Sequence, residues 1–377
     1  MDFDLSWLLW GLPLAFVLGW VASRLDLRQM RVENRQAPKA YFKGLNFLLN
    51  EQQDQAIDAF IEAVQKDPDT SELHFALGNL FRRRGEYERA VRVHEHLLSR
   101  GDLSKEERHR AQHALALDFL KAGLLDRAED ALRKLEGTAY ESQALLALLA
   151  IYERSRDWPH AAEVARKLDA SGQGNFGGRV AHYLCEEAAA KPPQEAEQLL
   201  REAMTVAPEA ARPGIEIAAL QRKAGDERAA YETLSRLAET APSSVPLMAR
   251  PYAEAAIATN QRARALEVLE HAYERAHSLD VLEAIVSLQA DADKAAAWYL
   301  KHLQREPSLV AASKWLANEK LEHQQYHSLV QGALDHAARP LMRYRCAACG
   351  FEAKQHFWQC PGCQAWDSYP ARRVEEL

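Results

Sequence analysis

The chain has 377 residues, of which 47% are hydrophobic and 27% are charged, so it can build a core and keep a hydrated surface. Its formal net charge of −7 argues against a dedicated nucleic-acid-binding protein, because such a domain is normally strongly basic. The hydrophobic content also argues against disorder. A chain of this length accommodates two or three domains or one long repeat array.

The first predicted element is a membrane-spanning helix. Residues 5–23, LSWLLWGLPLAFVLGWVAS, are a run without a charged side chain. A helix rising about 1.5 Å per residue would carry this run across about 28 Å, which matches the hydrocarbon core of a bilayer. Trp7, Trp10 and Trp20 lie towards its two ends, where indole rings favour the headgroup region. We therefore predict a transmembrane anchor over residues 1–23.

A cleaved signal peptide and a buried helix are the alternatives to this anchor. A signal peptide begins with basic residues, but here Asp2 and Asp4 precede the apolar run and no basic residue does. A cut after Ala22 would also leave Trp20 at a position that requires a small side chain. Residues 24–39 form a basic juxtamembrane linker, which by the positive-inside rule predicts a cytoplasmic location for the rest of the chain. The basic residues of this linker are Arg24, Arg28, Arg31, Arg35 and Lys39.

The middle of the chain, residues 40–338, repeats with a period near 34 residues. Residues 41–68 have small and aromatic side chains where a tetratricopeptide repeat has them. The same pattern recurs 34 positions later, with His94 in place of one expected aromatic residue. The pattern predicts about eight to nine helical pairs. Prolines recur where the second helix of a repeat must stop, at Pro68, Pro208, Pro242 and Pro307. The small residue at which the two helices of a pair approach recurs as Ala56, Ala90, Ala128, Ala161, Ala196, Ala230, Ala265 and Ala295.

Stacked helical pairs of this kind form a superhelix, because each pair buries its apolar face only against its neighbours. The first helix of each pair lines the concave groove. In the second repeat that helix is expected to present Phe75, Asn79, Arg82 and Arg83, to which an acidic peptide could bind through bidentate arginine contacts. A solvated basic helix face is the alternative interpretation of the same residues.

Four of the five cysteines fall close together near the end of the chain, as two C-x-x-C pairs. Cys346 and Cys349 form the first pair, and Cys360 and Cys363 form the second. A tetrahedral metal ion needs four thiolates at about 2.3 Å, and each C-x-x-C turn supplies two of them. Gly350 provides the permissive backbone that the first turn requires, and the Pro361–Gly362 pair tightens the second turn. The spacing predicts a four-cysteine metal site.

Two disulfides and a redox-active C-x-x-C are the alternatives to a metal. Disulfides rarely persist in the cytosol, where the basic linker places this segment. A redox-active C-x-x-C would not need a second C-x-x-C pair beside it. An S4 site suits zinc or iron, and we predict one Zn²⁺ with Fe left open, because both pairs resemble rubredoxin knuckles. A zinc ribbon that binds nucleic acid and a rubredoxin-type electron carrier remain the alternative functions.

The predicted ribbon, residues 339–377, is too small to bury a core of its own. Phe351, Phe357, Trp358 and Trp366 are expected to cover the metal site rather than to stack on bases. Because the two tryptophans would leave apolar surface exposed, we expect the ribbon to dock on the repeat array. Arginines in the connection are expected to pair with acidic residues of the last helices, namely Arg339, Arg343 and Arg345.

The whole chain resembles the lipopolysaccharide assembly protein B (LapB) family of Gram-negative bacteria. The resemblance rests on the N-terminal apolar run, the repeats GLNFLLNEQQDQAIDAF and LGNLFRRRGEYERAVRVHE, the stretches AGLLDRAED and AHYLCE, and the terminal YRCAACGF and FWQCPGCQAW. It implies that the four cysteines are metal ligands. The stretch AHYLCE is part of this resemblance, but the resemblance assigns no role to its His182 and Cys185. We include His182 among the predicted partner-binding residues.

The resemblance also implies a function and partners. It implies an inner-membrane regulatory adaptor that presents the deacetylase of the committed step of lipid A synthesis to the membrane protease FtsH. A second inner-membrane protein is expected to antagonise it. The acidic net charge predicts no nucleic-acid partner, and homodimer formation is left open. No phosphate-binding loop and no nucleophile with its base are visible in the sequence, so we predict that the protein is not an enzyme.

Together these patterns predict an all-α tetratricopeptide-repeat superhelix with an N-terminal transmembrane helix and a small C-terminal rubredoxin-like zinc ribbon. The predicted location is the bacterial inner membrane, as a single-pass protein with its repeats and metal domain on the cytoplasmic side.

Overall fold

The computed structural model describes residues 15–20, 42–317, 319 and 324–377. Most of the predicted anchor (residues 1–23) and all of the predicted basic linker (residues 24–39) lie outside these ranges, and the described part of the anchor, residues 15–20, is helical. Across the described ranges, no helix has the length and apolar character needed to cross a membrane.

The described chain divides into two compact units. The N-terminal unit ends at Ile151 and the C-terminal unit runs from Tyr152 to Leu377. The first unit contains α1 (residues 42–49), α2 (Gln53–Lys66), α3 (Ser71–Arg84), α4 (Tyr87–Ser99), α5 (Lys105–Ala122), α6 (Leu125–Arg133) and most of α7 (Glu141–Ser155). The second contains α8 (Trp158–Ala170), α9 (Gly177–Ala189), α10 (Pro193–Val206), α11 (Ala211–Lys223), α12 (Glu227–Thr240), α13 (Val245–Ala258), α14 (Arg262–Arg275), α15 (Leu279–Leu288), α16 (Ala292–Arg305), α17 (Leu309–Leu316) and α18 (His327–Ala338).

These helices follow one another as nine pairs within the described ranges. Every alanine of the predicted column lies in the second helix of its pair, and the first seven are at most 3% exposed. The eighth, Ala295, is half-buried. The protein is therefore a mostly helical tetratricopeptide-like repeat protein.

Small residues in the first helix of a pair explain how closely the two helices approach. A Cβ atom added at Gly44 would lie 2.8 Å from the ring of Phe60, and one added at Gly78 would lie 2.5 Å from the ring of His94. Both distances are too short for a side chain, so the glycines are required by packing. His94 takes the place of an aromatic residue and is fully buried.

The second helices of several repeats end where the prolines predicted. Helices α2, α10, α12 and α16 each stop two residues before a proline, because proline cannot continue the backbone hydrogen-bond pattern. A 3-10 turn, Pro242–Ser244, follows α12 and leads directly into α13.

The cysteine ribbon follows α18 and contains little regular structure. Strand β1 (Tyr344–Arg345) pairs antiparallel with β2 (Glu352–Ala353), with Tyr344 opposite Ala353. An isolated bridge joins Gln359 to Trp366. The described chain ends in a 3-10 turn, Val374–Glu376. Residues 344–369, which hold both cysteine pairs, and residues 370–377, which we call the tail, belong to the C-terminal unit.

Candidate metal centre and its docking surface

The first cysteine pair lies in a knuckle that is closed by two backbone hydrogen bonds. The N–H group of Gly350 donates to the carbonyl oxygen of Cys346 over 2.9 Å, and the N–H group of Cys346 donates to the carbonyl oxygen of Phe351, also over 2.9 Å. Gly350 has φ +77°, a left-handed conformation that glycine adopts without steric cost. The predicted role of Gly350 is confirmed.

The second knuckle repeats the same pattern. Gln364 donates its N–H to the carbonyl oxygen of Cys360 over 2.8 Å, and Cys360 donates its own to Ala365 over 2.9 Å. The left-handed residue here is Gln364, with φ +62°, at the position equivalent to Gly350. The left-handed conformation of this knuckle therefore lies at Gln364, two residues after Gly362.

The four predicted ligands come together at one point. The sulfur atoms of Cys346 and Cys363 are 3.8 Å apart, those of Cys349 and Cys360 are 3.7 Å apart, and all four lie within 4.8 Å of one another. A tetrahedral site with metal–sulfur bonds of about 2.3 Å has sulfur–sulfur edges of about 3.8 Å. The donor set and its spacing therefore fit a tetrahedral thiolate-bound metal.

At Cys346 and Cys360 the protein favours the thiolate form that a metal requires. At Cys349 the backbone N–H group of Phe351 is outweighed by burial and the neighbouring thiols, which raise the pKa to about 12. Burial acts to raise the pKa of Cys346, but Ser368, whose Oγ lies 3.3 Å from the sulfur, and the backbone N–H groups of Cys349 and Ala348 lower it to about 6. In the second knuckle, burial likewise opposes the N–H groups that point at Cys360, and the net pKa of Cys360 is lowered.

The ribbon docks on the repeats through Trp366. Its ring stacks on His182 with centroids 4.9 Å apart and meets Trp158 and Tyr183 edge-on at 6.1 and 5.8 Å. Its indole N–H donates to Glu153 over 3.0 Å. The indole thus buries its apolar face and satisfies its one donor at the same time. The predicted docking through this tryptophan is confirmed.

His182 is the repeat residue that contacts the ribbon from two sides. Its Nε2 lies 2.8 Å from a carboxylate oxygen of Asp367, and Trp358 packs at 5.8 Å on a tilted plane. The side chain is 3% exposed. The structure therefore gives His182 an intramolecular role, and binding of a separate partner through it stays a prediction. Cys185, one helical turn later, is fully buried as a small apolar side chain.

A second anchor joins the ribbon to α15 through Asp280. Arg373 donates two hydrogen bonds to the Asp280 carboxylate, over 2.8 and 2.6 Å, and Tyr344 donates a third over 3.2 Å. The guanidinium of Arg373 also lies over the Tyr344 ring at 4.0 Å. Both members of the ion pair are only 14% exposed, so this bidentate pair is shielded from solvent.

The acidic tail after the ribbon caps two helices. Glu375 accepts hydrogen bonds from the backbone N–H of Leu309 over 2.6 Å and from the hydroxyl of Ser308 over 2.7 Å, at the start of α17. Glu376 accepts a hydrogen bond from the backbone N–H of Leu279, at the start of α15. Carboxylates at helix N-termini satisfy N–H groups that have no partner within the helix.

Most of these contacts involve the first helices of their pairs. The ribbon and tail contact α7, α9, α15 and α17 through the residues already described, and Leu247 of α13 packs against the ribbon's small core. One further expectation was wrong, because Arg343 and Arg345 pair with Glu352 of the ribbon itself, at 3.6 and 2.7 Å, rather than with the last helices.

The predicted partner residues of the second repeat are less exposed than expected. Phe75 is 1% exposed and packs in a cluster of the N-terminal unit, so its ring is not presented at a surface. Arg82 donates to Asn79 over 2.5 Å and to Asp118 over 2.7 Å. Arg83 is exposed. Partner binding by Asn79, Arg82 and Arg83 stays a prediction. The prediction that Phe75 is presented at that surface was wrong, because its ring is buried.

The fold and the four-cysteine cluster define a class of protein, a tetratricopeptide-like array that carries a rubredoxin-type metal-binding ribbon. Residues 344–369 match the family model described as "Rubredoxin metal binding domain". Lipopolysaccharide assembly protein B of Escherichia coli (strain K12) is 32% identical over 385 residues, covering 97% of this chain and 98% of that protein. The chain belongs to the lipopolysaccharide assembly protein B family.

Two further comparisons are weaker. The protein of the same name from Haemophilus influenzae (strain Rd) is 26% identical, covering 95% of this chain and 96% of that protein. A solved tetratricopeptide repeat protein from Parabacteroides merdae is 15% identical, with a TM-score of 0.35, and covers 67% of this chain and 99% of its own.

Proposed function

We propose that this protein is a non-enzymatic inner-membrane adaptor in the control of lipopolysaccharide synthesis. It promotes FtsH-dependent proteolysis of the deacetylase that commits precursors to lipid A, and an inner-membrane antagonist opposes it. The single observation that supports this proposal best is the relationship to lipopolysaccharide assembly protein B across 97% of the chain, which covers the repeats and the ribbon together.

The architecture supports an adaptor in a second way. The ribbon is anchored to the repeats by Trp366, by Asp280 with Arg373, and by the acidic tail. A ribbon held at three places can act as a fixed part of a binding surface, because little ordering entropy is lost when a partner binds to it. We propose that the metal stabilises this surface and that it is one Zn²⁺ per chain, held by the four cysteines.

The half-life of the deacetylase tests this function. In cells that lack the protein, the half-life should lengthen, and expression of the full chain should restore it in an FtsH-dependent manner. An unchanged half-life on removal of the protein would refute the adaptor role. Elemental analysis and a visible spectrum of the purified chain test the metal separately, since a red protein that is reduced reversibly would identify iron and an electron-transfer function.

A further inference from the structure

The four cysteines of the metal centre differ in how far solvent reaches them. Cys346 and Cys360 are 1% and 0% exposed, whereas Cys349 and Cys363 are exposed. Each knuckle therefore contributes one shielded and one accessible sulfur. All four ligands are thiolates when the metal is bound. Because cysteine oxidation follows thiolate character and exposure, Cys349 and Cys363 are the two ligands that a small oxidant attacks first.

Each accessible sulfur lies beside a shielded sulfur of the other knuckle. The sulfur atoms of Cys363 and Cys346 are 3.8 Å apart, and those of Cys349 and Cys360 are 3.7 Å apart. A sulfenic acid formed at an accessible cysteine therefore has a thiolate beside it that can attack its sulfur. The arrangement provides a reacting and a resolving cysteine twice within one cluster.

The residues that dock the ribbon are connected directly to these sulfurs. Ser368 places its hydroxyl 3.3 Å from the sulfur of Cys346. The two residues before it, Trp366 and Asp367, make the contacts with His182. A disulfide bond is about 2.05 Å long, so its formation draws one knuckle towards the other. Because Ser368 contacts a sulfur that moves, the change reaches the docking contacts next to it.

We propose that the metal centre is a peroxide-sensitive switch that controls the docking of the ribbon on the repeats. Oxidation of the accessible cysteines forms disulfides between the knuckles, releases the metal and loosens the ribbon. Reduction and renewed metal binding restore it. This switch rests on the proposed Zn²⁺ and goes beyond the proposed adaptor function.

The reaction at each pair uses hydrogen peroxide as the oxidant. The thiolate of Cys349 attacks one peroxide oxygen, the O–O bond breaks, and the other oxygen leaves as water after it takes up a proton. The thiolate of Cys360 then attacks the resulting sulfenic acid. Its hydroxyl group leaves as water with a second proton, and the disulfide forms. The same steps at Cys363 and Cys346 remove the remaining thiolate ligands, so the Zn²⁺ is released without a change in its oxidation state.

Chemical trapping tests which sulfur reacts. The full chain, loaded with Zn²⁺ and freed of reductant, is treated with a substoichiometric amount of hydrogen peroxide in the presence of dimedone, which alkylates sulfenic acids. Peptide mass spectrometry should find the adduct at least tenfold more often on the accessible cysteines than on the shielded ones. Complete oxidation without dimedone should give the disulfides Cys346–Cys363 and Cys349–Cys360. Adducts mainly on Cys346 and Cys360, or disulfides within each C-x-x-C pair, would overturn the proposal.

Metal content and hydrogen exchange test the switch itself. Millimolar hydrogen peroxide should lower bound Zn²⁺ from about one equivalent to below about 0.2, and dithiothreitol with added Zn²⁺ should restore it. Two backbone N–H groups report on the docking residues, that of Ala347, which donates to Ser368 over 2.7 Å, and that of Asp367, which donates to Trp358 over 2.9 Å. Both should exchange at least tenfold faster after oxidation, while the N–H groups of α12 should keep their rates.

Cys185→Ala is the matched control, because this buried thiol lies outside the cluster. The variant should release Zn²⁺ at the same peroxide concentration as the parent. Retention of Zn²⁺ by the parent, or release without faster exchange at Ala347 and Asp367, would overturn the switch. Protein that carries no metal before treatment would overturn the switch together with the proposed Zn²⁺, whereas retention of metal after treatment leaves the proposed Zn²⁺ intact.

Discussion

Trp366 of the ribbon stacks on His182 of the fifth helical pair, with ring centroids 4.9 Å apart and planes inclined by 20°. The same indole donates its N–H to Glu153 in the preceding pair. One side chain therefore joins the ribbon to two successive first helices. Because the ribbon cannot bury a core alone, its order depends on this contact.

Trp366→Ala should loosen the ribbon from the repeats. The substitution removes the stacking on His182, the edge contacts with Trp158 and Tyr183, and the hydrogen bond to Glu153, and should destabilise the C-terminal unit by about 2–4 kcal/mol. Urea unfolding followed by far-UV circular dichroism measures this change. The control is Phe351→Ala, which removes a 45% exposed ring and should cost less than about 1 kcal/mol. Equal losses for the two variants would contradict the docking role of Trp366.

Asp280 and Arg373 should show strong energetic coupling. Each is 14% exposed, and removing either one leaves the other charge shielded from water without its partner. We expect Asp280→Asn and Arg373→Met each to cost about 2–4 kcal/mol of unfolding free energy, and the double variant to cost clearly less than their sum. A double-mutant cycle on urea unfolding measures the coupling. Additive losses would show that the pair contributes nothing beyond its separate contacts.

Arg228 and Glu232 provide the matched control for that cycle. They form an ion pair of 3.2 Å within α12, but their side chains are 85% and 60% exposed. The coupling energy of such a pair should be below about 1 kcal/mol, because solvent and salt screen it.

How far the sequence predicts this structure depends on whether a feature is local. The buried alanines and the C-x-x-C spacing are local patterns, so the repeats and the four-sulfur cluster were predictable. Glu153 and Asp280 were not, because a carboxylate that accepts a distant ribbon has the same local sequence signature as a solvated one. The repeat pattern also did not show which face of a helix the next pair covers. Phe75 lies on such a covered face, where Arg110 of the third pair packs over its ring at 4.1 Å.

The tail supplied another feature that the sequence did not reveal. Glu375 and Glu376 look like an ordinary acidic terminus, but their carboxylates satisfy N–H groups at two helix starts that lie far away in the chain. The left-handed conformation at Gln364 is hidden for a similar reason. Glutamine carries no bias towards positive φ, so only the equivalence of the two knuckles identifies it.

Glu376→Gln should change how stability depends on pH. Burial, the largest cause, raises the pKa of Glu376 above its usual 4.5 in the folded protein. Its neutral form is thus favoured on folding, so its contribution to stability is complete below pH 4.5 and is lost as the pH rises through the raised folded pKa. The variant, which stays neutral, should be at least as stable as the parent at pH 7 and should lose this advantage at pH 4.

Urea unfolding at pH 4 and pH 7 measures that difference. Glu267→Gln, an exposed position of α14, is the control and should leave the pH dependence of the parent unchanged. If the Glu376→Gln variant is less stable than the parent by the same amount at pH 7 and at pH 4, the prediction is wrong. The charged carboxylate would then carry no free-energy cost in the folded protein.

Cys346→Ser should abolish metal binding and detach the ribbon without unfolding the repeats. Cys346 is buried, accepts backbone N–H groups and provides one of four thiolates, so the serine variant keeps a three-thiolate site that is open to water and weaker. Elemental analysis should fall from about one equivalent in the parent to below about 0.2 in the variant. Far-UV circular dichroism should retain the helical signal, because the repeats bury their own core, while Trp366 fluorescence should shift as the indole leaves His182.

Cys185→Ala is the control, since that buried thiol lies outside the cluster, and it should keep the metal. Full metal content in Cys346→Ser would refute the four-cysteine site, and metal loss without any fluorescence change would show that docking does not depend on the metal.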